Sequence, residues 1–393
     1  MRSKVILFLG DGMADEPVTA LDGKTPLQAA RTPNMDRIAR DGRCGTLLTL
    51  PAGFPTSSDV ANMSVLGCDL ATEICGRGPL EAASQGIRLG PDDFCFRMNL
   101  ITVDDQGVLR DFSGGHPGQT EAAAAVTLLN EALGNESVRF HPGVSYRCLL
   151  VLSGKQFSAE VACDKPDDNY GNRVAEHLPM AKNAVGEHTA TLLRELTARA
   201  AVVLAGRGAN GVWFWSGGKA GAIHSIPERY GITAAVISAV DVVNGLGRCM
   251  GMDVIRAPGA TGYVDTNYEG KADAAIQAAA THDFVYVHVE AMDEVSHAQD
   301  LGLKLKAIED FDRRLIGRVM AALGNSVTYA VLPDHPVPLH SGKHTRTPVP
   351  VAVMCPGIPP DGVQTYDEDA CKAGALGAMK GPDLMDLLFG GKA

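Results

Sequence analysis

An excess of positive charge, paired cysteines and long apolar runs are all missing from this sequence. Lys and Arg number 35 against 46 Asp and Glu, a formal net charge of −11. Binding a nucleic-acid duplex requires clustered Lys and Arg to displace counterions, so this balance argues against a nucleic-acid partner. It leaves a small anionic substrate open, because a local pocket can oppose the global sign. The nine cysteines are scattered singly, with no C-x-x-C pair. That removes zinc ribbons and thioredoxin-like redox sites, and it suits buried thiols in a reducing compartment. No run approaches the ~20 apolar residues of a membrane span. Val5-Ile6-Leu7-Phe8-Leu9 is too short for a signal peptide and leads straight into Asp11. The expectation is a cytoplasmic protein with no membrane partner. A G-x-x-x-x-G-K-[ST] phosphate loop is also absent. Gly206-Arg207-Gly208-Ala209-Asn210-Gly211 has the G-x-G-x-x-G spacing. A helix-like segment precedes it and Val212-Trp213-Phe214-Trp215 follows, which reverses the strand-then-helix order of dinucleotide binding. It reads as a tight helix-to-strand loop.

What is present is enough apolar residue for a sizeable core, 45% of 393 residues. That length allows two or three domains, or one large α/β domain with an insertion. Lys4 to Gly10 is apolar without alternation and reads as a buried parallel strand. A helix is expected from Pro33 to Asp41, with Thr32 as N-cap and Pro33 at its first position. From about Phe94 the texture changes. A hairpin over 96–112, an Ala-rich helix over 120–133 and two strands, 138–140 and 145–152, suggest a small α+β domain. Alternation of α and β then resumes. Helices are expected over 189–200, 271–280 and, as one long element, 301–323. Strands are expected over 211–215, 234–237, 284–289, 327–332 and 351–354. Such alternation implies a mostly parallel sheet covered by helices on both faces. The domain expectation is a discontinuous core of residues 1–94 and 183–393 with an inserted domain over 95–182.

Four separated segments place acids or imidazoles near strand ends, where open α/β sheets bind ligands. They are Asp11; Asp293 to His297; Asp334-His335; and His340 to Thr345, with His344 the better ligand candidate. Asp293 and His297 are four apart and share one helical face. Mixed Asp and His ligation suits manganese or zinc, with magnesium a third candidate. Five or six ligands exceed the need of one tetrahedral ion, so two ions ~3.5–4 Å apart are expected. Pro55-Thr56-Ser57-Ser58-Asp59 offers a nucleophile. A serine hydroxyl is weak at neutral pH until a base or a metal ionises it. The same residues also make a good helix N-cap, and side-chain chemistry does not choose among Thr56, Ser57 and Ser58.

G-D-G-M at Gly10, T-P-N-M-D at Thr32, S-D-V-A-N at Ser58, G-R-G-P-L-E-A at Gly76, G-A-T-G at Gly259, D-x-x-x-H at Asp293, D-H at Asp334 and H-T-x-x-P-V-P at His344 follow in order. Together they resemble the archaeal-type cofactor-independent phosphoglycerate mutases of the alkaline phosphatase superfamily, across nearly the whole chain. The resemblance implies an alkaline-phosphatase-like α/β core with an inserted small domain. It makes Ser58 the nucleophile that carries phosphate. It implies one metal held by Asp11, Ser58, Asp334 and His335, and another by Asp293, His297 and His344. It implies interconversion of 3-phosphoglycerate and 2-phosphoglycerate.

Two stretches depart from that family. Asp111-Phe112-Ser113-Gly114-Gly115-His116 stands where an arginine-rich segment is expected, and an arginine is replaced near Trp213-Phe214-Trp215-Ser216. Phe, Ser and Trp cannot supply the bidentate forks that suit carboxylate and phosphate. V-S-Y-R at Val144 and D-T-N-Y-E-G-K at Asp265 resemble instead a bacterial subgroup proposed to be homoserine kinases. The acceptor would then be a zwitterionic rather than an anionic metabolite. Arg147, Lys219 and His116 are the candidate substrate-binding residues on either reading. A phosphomonoesterase and a non-catalytic metal-binding scaffold are the remaining alternatives.

Overall fold

A computed structural model describes residues 4–219, 221 and 223–390. The chain forms two compact units, one of residues 1–74 and 223–393, the other of residues 75–222.

Eight strands make the sheet of the first unit: β1 Val5–Gly10, β2 Arg43–Leu48, β3 Ala234–Ile237, β4 Asp253–Ile255, β5 Phe284–Val289, β6 Thr328–Pro333, β7 Val349–Met354 and β8 Gly377–Lys380. Their order is β4-β3-β5-β1-β6-β7-β2-β8. Strands β4 through β6 run parallel, β7 is antiparallel to both its neighbours, and β8 is parallel to β2. Every residue of β1, β5 and β6 is buried, which is why these sequences are apolar without alternation. The register aligns Gly10 with Val289 on one side and with Pro333 on the other. The residues that follow each strand therefore leave the same edge of the sheet.

Helices Pro33–Arg40, Tyr268–Thr281 and Leu301–Asp310 contribute Ile38, Ala272, Ala275 and Ile308 to the core around Phe8, Val287 and Tyr329. The expected long helix over 301–323 is continuous but passes through a π-helical stretch, Phe311–Ile316. There Asp312 is buried and accepts from the backbone N–H groups of Asn34 and Met35. Thr32 occupies the N-cap position of the helix Pro33–Arg40 but makes no side-chain cap bond. The carboxylate of a distant helix satisfies those orphan donors instead.

The second unit is an antiparallel sheet around the strand Asp93–Val103, which pairs with Arg147–Ser153 and with Gly211–Lys219. One face packs Phe96, Met98, Leu100, Leu150 and Phe214 against helices Gln119–Leu133 and Glu187–Val203. This corrects the expected boundaries. Residues 183–222 return to the inserted unit because Gly211–Lys219 pairs along Asp93–Val103 and the preceding helix shares its core. Residues 75–94 join it because helix Arg77–Ser84 lies on the same strand, where a Cβ at Gly78 would come within 2.3 Å of the Cys95 carbonyl oxygen. The expected tight turn before Gly211 is present.

All nine cysteines are free thiols, six of them buried. Among the described residues no helix is long and apolar enough to cross a membrane.

Candidate active site

The level ends of β1, β5 and β6 bring the predicted acid and imidazole groups together in the first unit. Asp11, directly after β1, is fully buried, as are Asp334 and His335 directly after β6. His335 Nε2 lies 3.4 Å from Asp11 Oδ1 and 3.4 Å from Asp334 Oδ2. Ser58 Oγ stands 3.2 Å from the same nitrogen. Ser58 is the first residue of helix Ser58–Val65, and Ser57 takes the N-cap position without a side-chain bond. The geometry thus separates the three hydroxyl candidates: Ser58, not Ser57 or Thr56, faces the acid–imidazole cluster.

A second cluster sits beside the first. Helix Ala291–His297 follows β5 and carries Asp293 and His297 on one face. His297 Nε2 is 3.2 Å from Asp293 Oδ2 and 3.0 Å from His344 Nε2, and His344 Nε2 is 3.3 Å from Asp293 Oδ1. His297 Nδ1 lies 2.8 Å from the Gly342 carbonyl oxygen. A neutral His297 donates there and turns the Nε2 lone pair toward Asp293 and His344. The rings of His335 and His344 stack with centroids 3.8 Å apart, which joins the two clusters. His340, the other histidine of its segment, is exposed and lies 3.9 Å from Glu16. Gly12 has φ +61, and a Cβ there would come 2.7 Å from Asp293 Cα. Glycine lets the loop after β1 close against the second cluster.

The electrostatics are those of a cation site. Burial pushes the carboxyls of Asp11 and Asp334 well above the usual range, and neighbouring carboxylates push them further. Burial, reinforced by His344, pushes His335 down to about 3. Burial alone would raise Asp293, but hydrogen bonds to His297 and His344 outweigh it and hold its carboxyl below the usual range. The Asp293 carboxylate in turn draws His297 up to about 9. Asp11 Oδ1 is buried with no hydrogen-bond partner. Buried acceptors and clustered like charges are costly unless a cation satisfies them. The donor sets, carboxylate with imidazole, fit borderline divalent ions.

Several neighbours went unrecognised in the sequence. Asn62 Nδ2 donates to the Ser58 carbonyl at 2.8 Å and to Asp334 Oδ2 at 3.0 Å, and its Oδ1 accepts from the Tyr286 hydroxyl at 2.5 Å. His288, next to the last residue of β5, sets Nε2 3.0 Å from Asp11 Oδ2 and Nδ1 3.1 Å from Ser238 Oγ. Burial and the nearby Lys271 push His288 down to about 3. Lys271 is itself fully buried and donates to the His288 carbonyl at 3.0 Å. Arg346 donates to the carbonyls of Pro51 at 2.7 Å and Phe54 at 2.5 Å, strapping the loop before Ser58 to the His344 segment. Asn62 and Lys271 stood in recognised motifs. His288 carried no signal, because a histidine in an apolar run reads as core.

The three candidate substrate residues belong to the second unit. The Arg147 guanidinium is 5.3 Å from the centre of the Tyr146 ring, and His116, at φ 52, meets the same ring edge-on at 5.4 Å. Lys219 is not brought to them. Its partner on the central strand is Phe94, whereas Arg147 pairs with Asn99. Five residues separate those partners, roughly 17 Å along the strand, and the odd spacing puts them on opposite faces.

The chain is similar to known proteins over nearly its whole length. The Metalloenzyme superfamily profile matches residues 3–390. The 2,3-bisphosphoglycerate-independent phosphoglycerate mutase of Methanosarcina acetivorans is 46% identical over 397 residues, covering 98% of this chain and 99% of that protein. A probable mutase of the same name from Geobacter sulfurreducens is 44% identical over 404 residues, with 98% and 99% covered. Among solved structures, the PH0037 protein of Pyrococcus horikoshii superposes with a TM-score of 0.83 at 27% identity, covering 100% of this chain and 99% of that one. The cofactor-independent phosphoglycerate mutase of Thermoplasma acidophilum gives 0.70 at 27% identity, with 98% of each covered.

Proposed function

The chain belongs to the metalloenzyme superfamily and, within it, to the 2,3-bisphosphoglycerate-independent phosphoglycerate mutase family, and from that premise we propose that it interconverts 3-phosphoglycerate and 2-phosphoglycerate through a phosphoserine on Ser58. The observation that carries the reading is the Ser58 hydroxyl 3.2 Å from His335, among buried carboxylates that lack a counter-charge. Asp11, Ser58, Asp334 and His335 would hold one divalent ion, and Asp293, His297 and His344 another. Manganese and zinc suit these donors best, with magnesium a third candidate. Bound there, the ions would neutralise the transferring phosphoryl group and lower the pKa of a serine hydroxyl.

The chain's own residues supply the rest. Helix Ser58–Val65 presents Ser58 at its first position, where the helix dipole favours an anionic oxygen. Asn62 fixes Asp334 and the Ser58 carbonyl, so nucleophile and carboxylate move as one piece. The phosphoryl group passes from the 3-oxygen of the substrate to Ser58 Oγ, and the proton that Ser58 gives up ends on the 3-oxygen. Glycerate then turns, its 2-hydroxyl takes the phosphoryl group, and Ser58 regains a proton. Nine unpaired cysteines suit the reducing cytoplasm in which we place this reaction.

The test is an assay of metal-loaded protein with 3-phosphoglycerate alone, and separately with homoserine and ATP. Formation of 2-phosphoglycerate without added bisphosphoglycerate supports the mutase. Phosphorylation of homoserine without mutase turnover would overturn it in favour of the kinase. The relatives' names lend the kinase no support.

A further inference from the structure

The two carboxylates of the first cluster are held in different ways. Asp334 Oδ1 accepts from the backbone N–H groups of Gly12 at 3.1 Å and His335 at 2.8 Å, and its Oδ2 accepts from Asn62. Asp11 receives far less. Among the described residues, the one nitrogen at hydrogen-bond distance from its Oδ2 is Nε2 of His288, at 3.0 Å. The neighbouring Glu290 and Asp334 add only acceptors when ionised. Both the Asp11 carboxyl and the His288 ring are fully buried, so bulk solvent does not compete for this contact.

His288 is in turn gripped at its other ring nitrogen. Nδ1 lies 3.1 Å from the hydroxyl of Ser238, the first residue after β3. That oxygen accepts from the Val240 N–H at 3.0 Å, and Asn244 donates to the Ser238 carbonyl at 3.3 Å. The backbone behind the ring is fixed as well, because the buried Lys271 donates to the His288 carbonyl. Strands β3, β5 and β1 are neighbours in the sheet, so Ser238, His288 and Asp11 form a row along its carboxyl edge. The direction of the row follows from its end. An ionised Asp11 only accepts, so Nε2 carries the hydrogen. In a neutral ring Nδ1 then accepts, and the Ser238 hydroxyl donates to it. A ring protonated on both nitrogens would still donate to Asp11, so the contact does not depend on the charge of the ring.

We propose that His288 is a positioning residue for the first divalent ion: its Nε2–H holds Oδ2 of Asp11 and leaves Oδ1 for the ion, with Ser238 fixing the ring. The proposal rests on Asp11 being a metal ligand, as in the function proposed above, and not on the identity of the substrate. Oδ1 is the buried oxygen without a hydrogen-bond partner, and His335 Nε2 lies 3.4 Å from it. A carboxylate pinned by one oxygen cannot turn away from its cation, and outer partners of this kind orient ligands and tune affinity. Glu290 bears on the alternative. Its Oε2 lies 3.7 Å from His288 Nε2, and Asp11, His288 and Glu290 are close enough together to enclose a further cation. The Lys271 ammonium already supplies positive charge to Glu290 and His288, and it would repel a dication there.

The experiment uses the full chain, stripped of metal and titrated with zinc against a chromogenic chelator, with bound zinc counted by elemental analysis. The wild type should bind two ions. His288→Phe keeps a planar ring without the donor and should weaken one of the two by about 10–100-fold, leaving the other unchanged. His288→Gln brings an amide N–H within reach of Oδ2 and should recover most of that loss. Ser238→Ala leaves the imidazole in place but frees its rotation, and should show a smaller loss at the same site; it carries the test if His288→Phe does not fold. A residue serving the fold alone would lower Tm without this loss and rescue at a single site. Independently, 1H–15N spectra of the zinc-loaded wild type should show a ring protonated at Nε2 that is absent from His288→Gln. Folded variants with wild-type zinc affinity at both sites would overturn the proposal, as would a His288 ring with a bare Nε2. So would three ions in the wild type falling to two in His288→Gln, since His288 would then be a ligand itself. Two bound ions without mutase turnover would sink the mutase reading instead, and the affinity comparison would still report on His288.

Discussion

Asn62 donates to Asp334 at 3.0 Å from within the first turns of the helix that Ser58 opens. One buried amide therefore ties the helix that Ser58 opens to a carboxylate that follows β6, and Tyr286 of β5 fixes that amide from the other side. Replacing Asn62 with Ala removes no candidate metal ligand, yet it leaves the Asp334 oxygen without its amide donor. Loss of such an outer partner typically costs 10–100-fold in metal affinity or activity. The expected outcome is a fall of about that size in kcat and in metal affinity, measured by competition with a chromogenic chelator. Unchanged values for both would remove Asn62 from the positioning role.

Ser58→Ala should abolish turnover while leaving both metals bound, since Asp11, Asp334 and His335 remain. Elemental analysis of the purified variant gives the metal content, and mass spectrometry of substrate-treated wild-type protein should find phosphate on the peptide containing Ser58. His297→Ala should do the reverse at the second cluster and lower metal content. Residual full activity in Ser58→Ala would exclude the covalent route.

The reach of the sequence differs between the two units. Where strands are buried on both faces, as in β1, β5 and β6, apolar runs betray them, and the acids just past their ends betray the site. Strand β2 reads Arg-Cys-Gly-Thr-Leu-Leu and β8 reads Gly-Ala-Met-Lys; neither has a periodicity to recognise, and both lie toward one end of the sheet. The antiparallel course of β7 is likewise a matter of connection, not of composition. The inserted unit's limits were misplaced because Gly211–Lys219 looks like any buried strand, and only its pairing with Asp93–Val103 shows where it belongs. His288 was hidden by its apolar neighbours.

Metal removal should destabilise the protein in a pH-dependent way. A ligand present at 1,000 times its Kd contributes about 4 kcal/mol to stability, so chelation should lower Tm by several degrees. His297 carries a pKa of about 9 in the fold without metal, above its unfolded value near 6.5. Such a group adds stability that is fully present below about pH 6.5 and is lost as pH rises through 9. Asp11 and Asp334, with raised carboxyls, act in the same sense, losing their contribution as pH rises from about 4 through their raised values. Chelated protein should therefore lose Tm between pH 6.5 and 9 while metal-loaded protein holds it, because bound cations keep these ligands deprotonated at no cost. Differential scanning calorimetry at both pH values, with and without chelator, checks this. A Tm gap between loaded and chelated protein that narrows as pH rises would contradict it.

Lys304 and Asp15 are joined 2.7 Å apart with side chains 0% and 1% exposed. Lys304 also donates to the Val337 carbonyl at 3.0 Å, and Asp15 accepts from the Leu339 N–H. The pair thus locks the loop that follows Asp11 to the segment that follows His335, beside the cluster of Asp11, Asp334 and His335. Removing one partner of a buried pair leaves an uncompensated charge and typically costs about 3–5 kcal/mol, whereas replacing both can be nearly neutral. Lys304→Met should therefore lower Tm strongly, and the double variant Lys304→Met with Asp15→Asn should recover much of the loss. A double-mutant cycle by denaturant unfolding gives the coupling. If the pair also holds the loops for metal binding, the double variant will regain stability but keep a weakened metal affinity, because a neutral pair no longer fixes the two segments with the same stiffness. Recovery of stability and affinity together would show that the ion pair serves the fold alone.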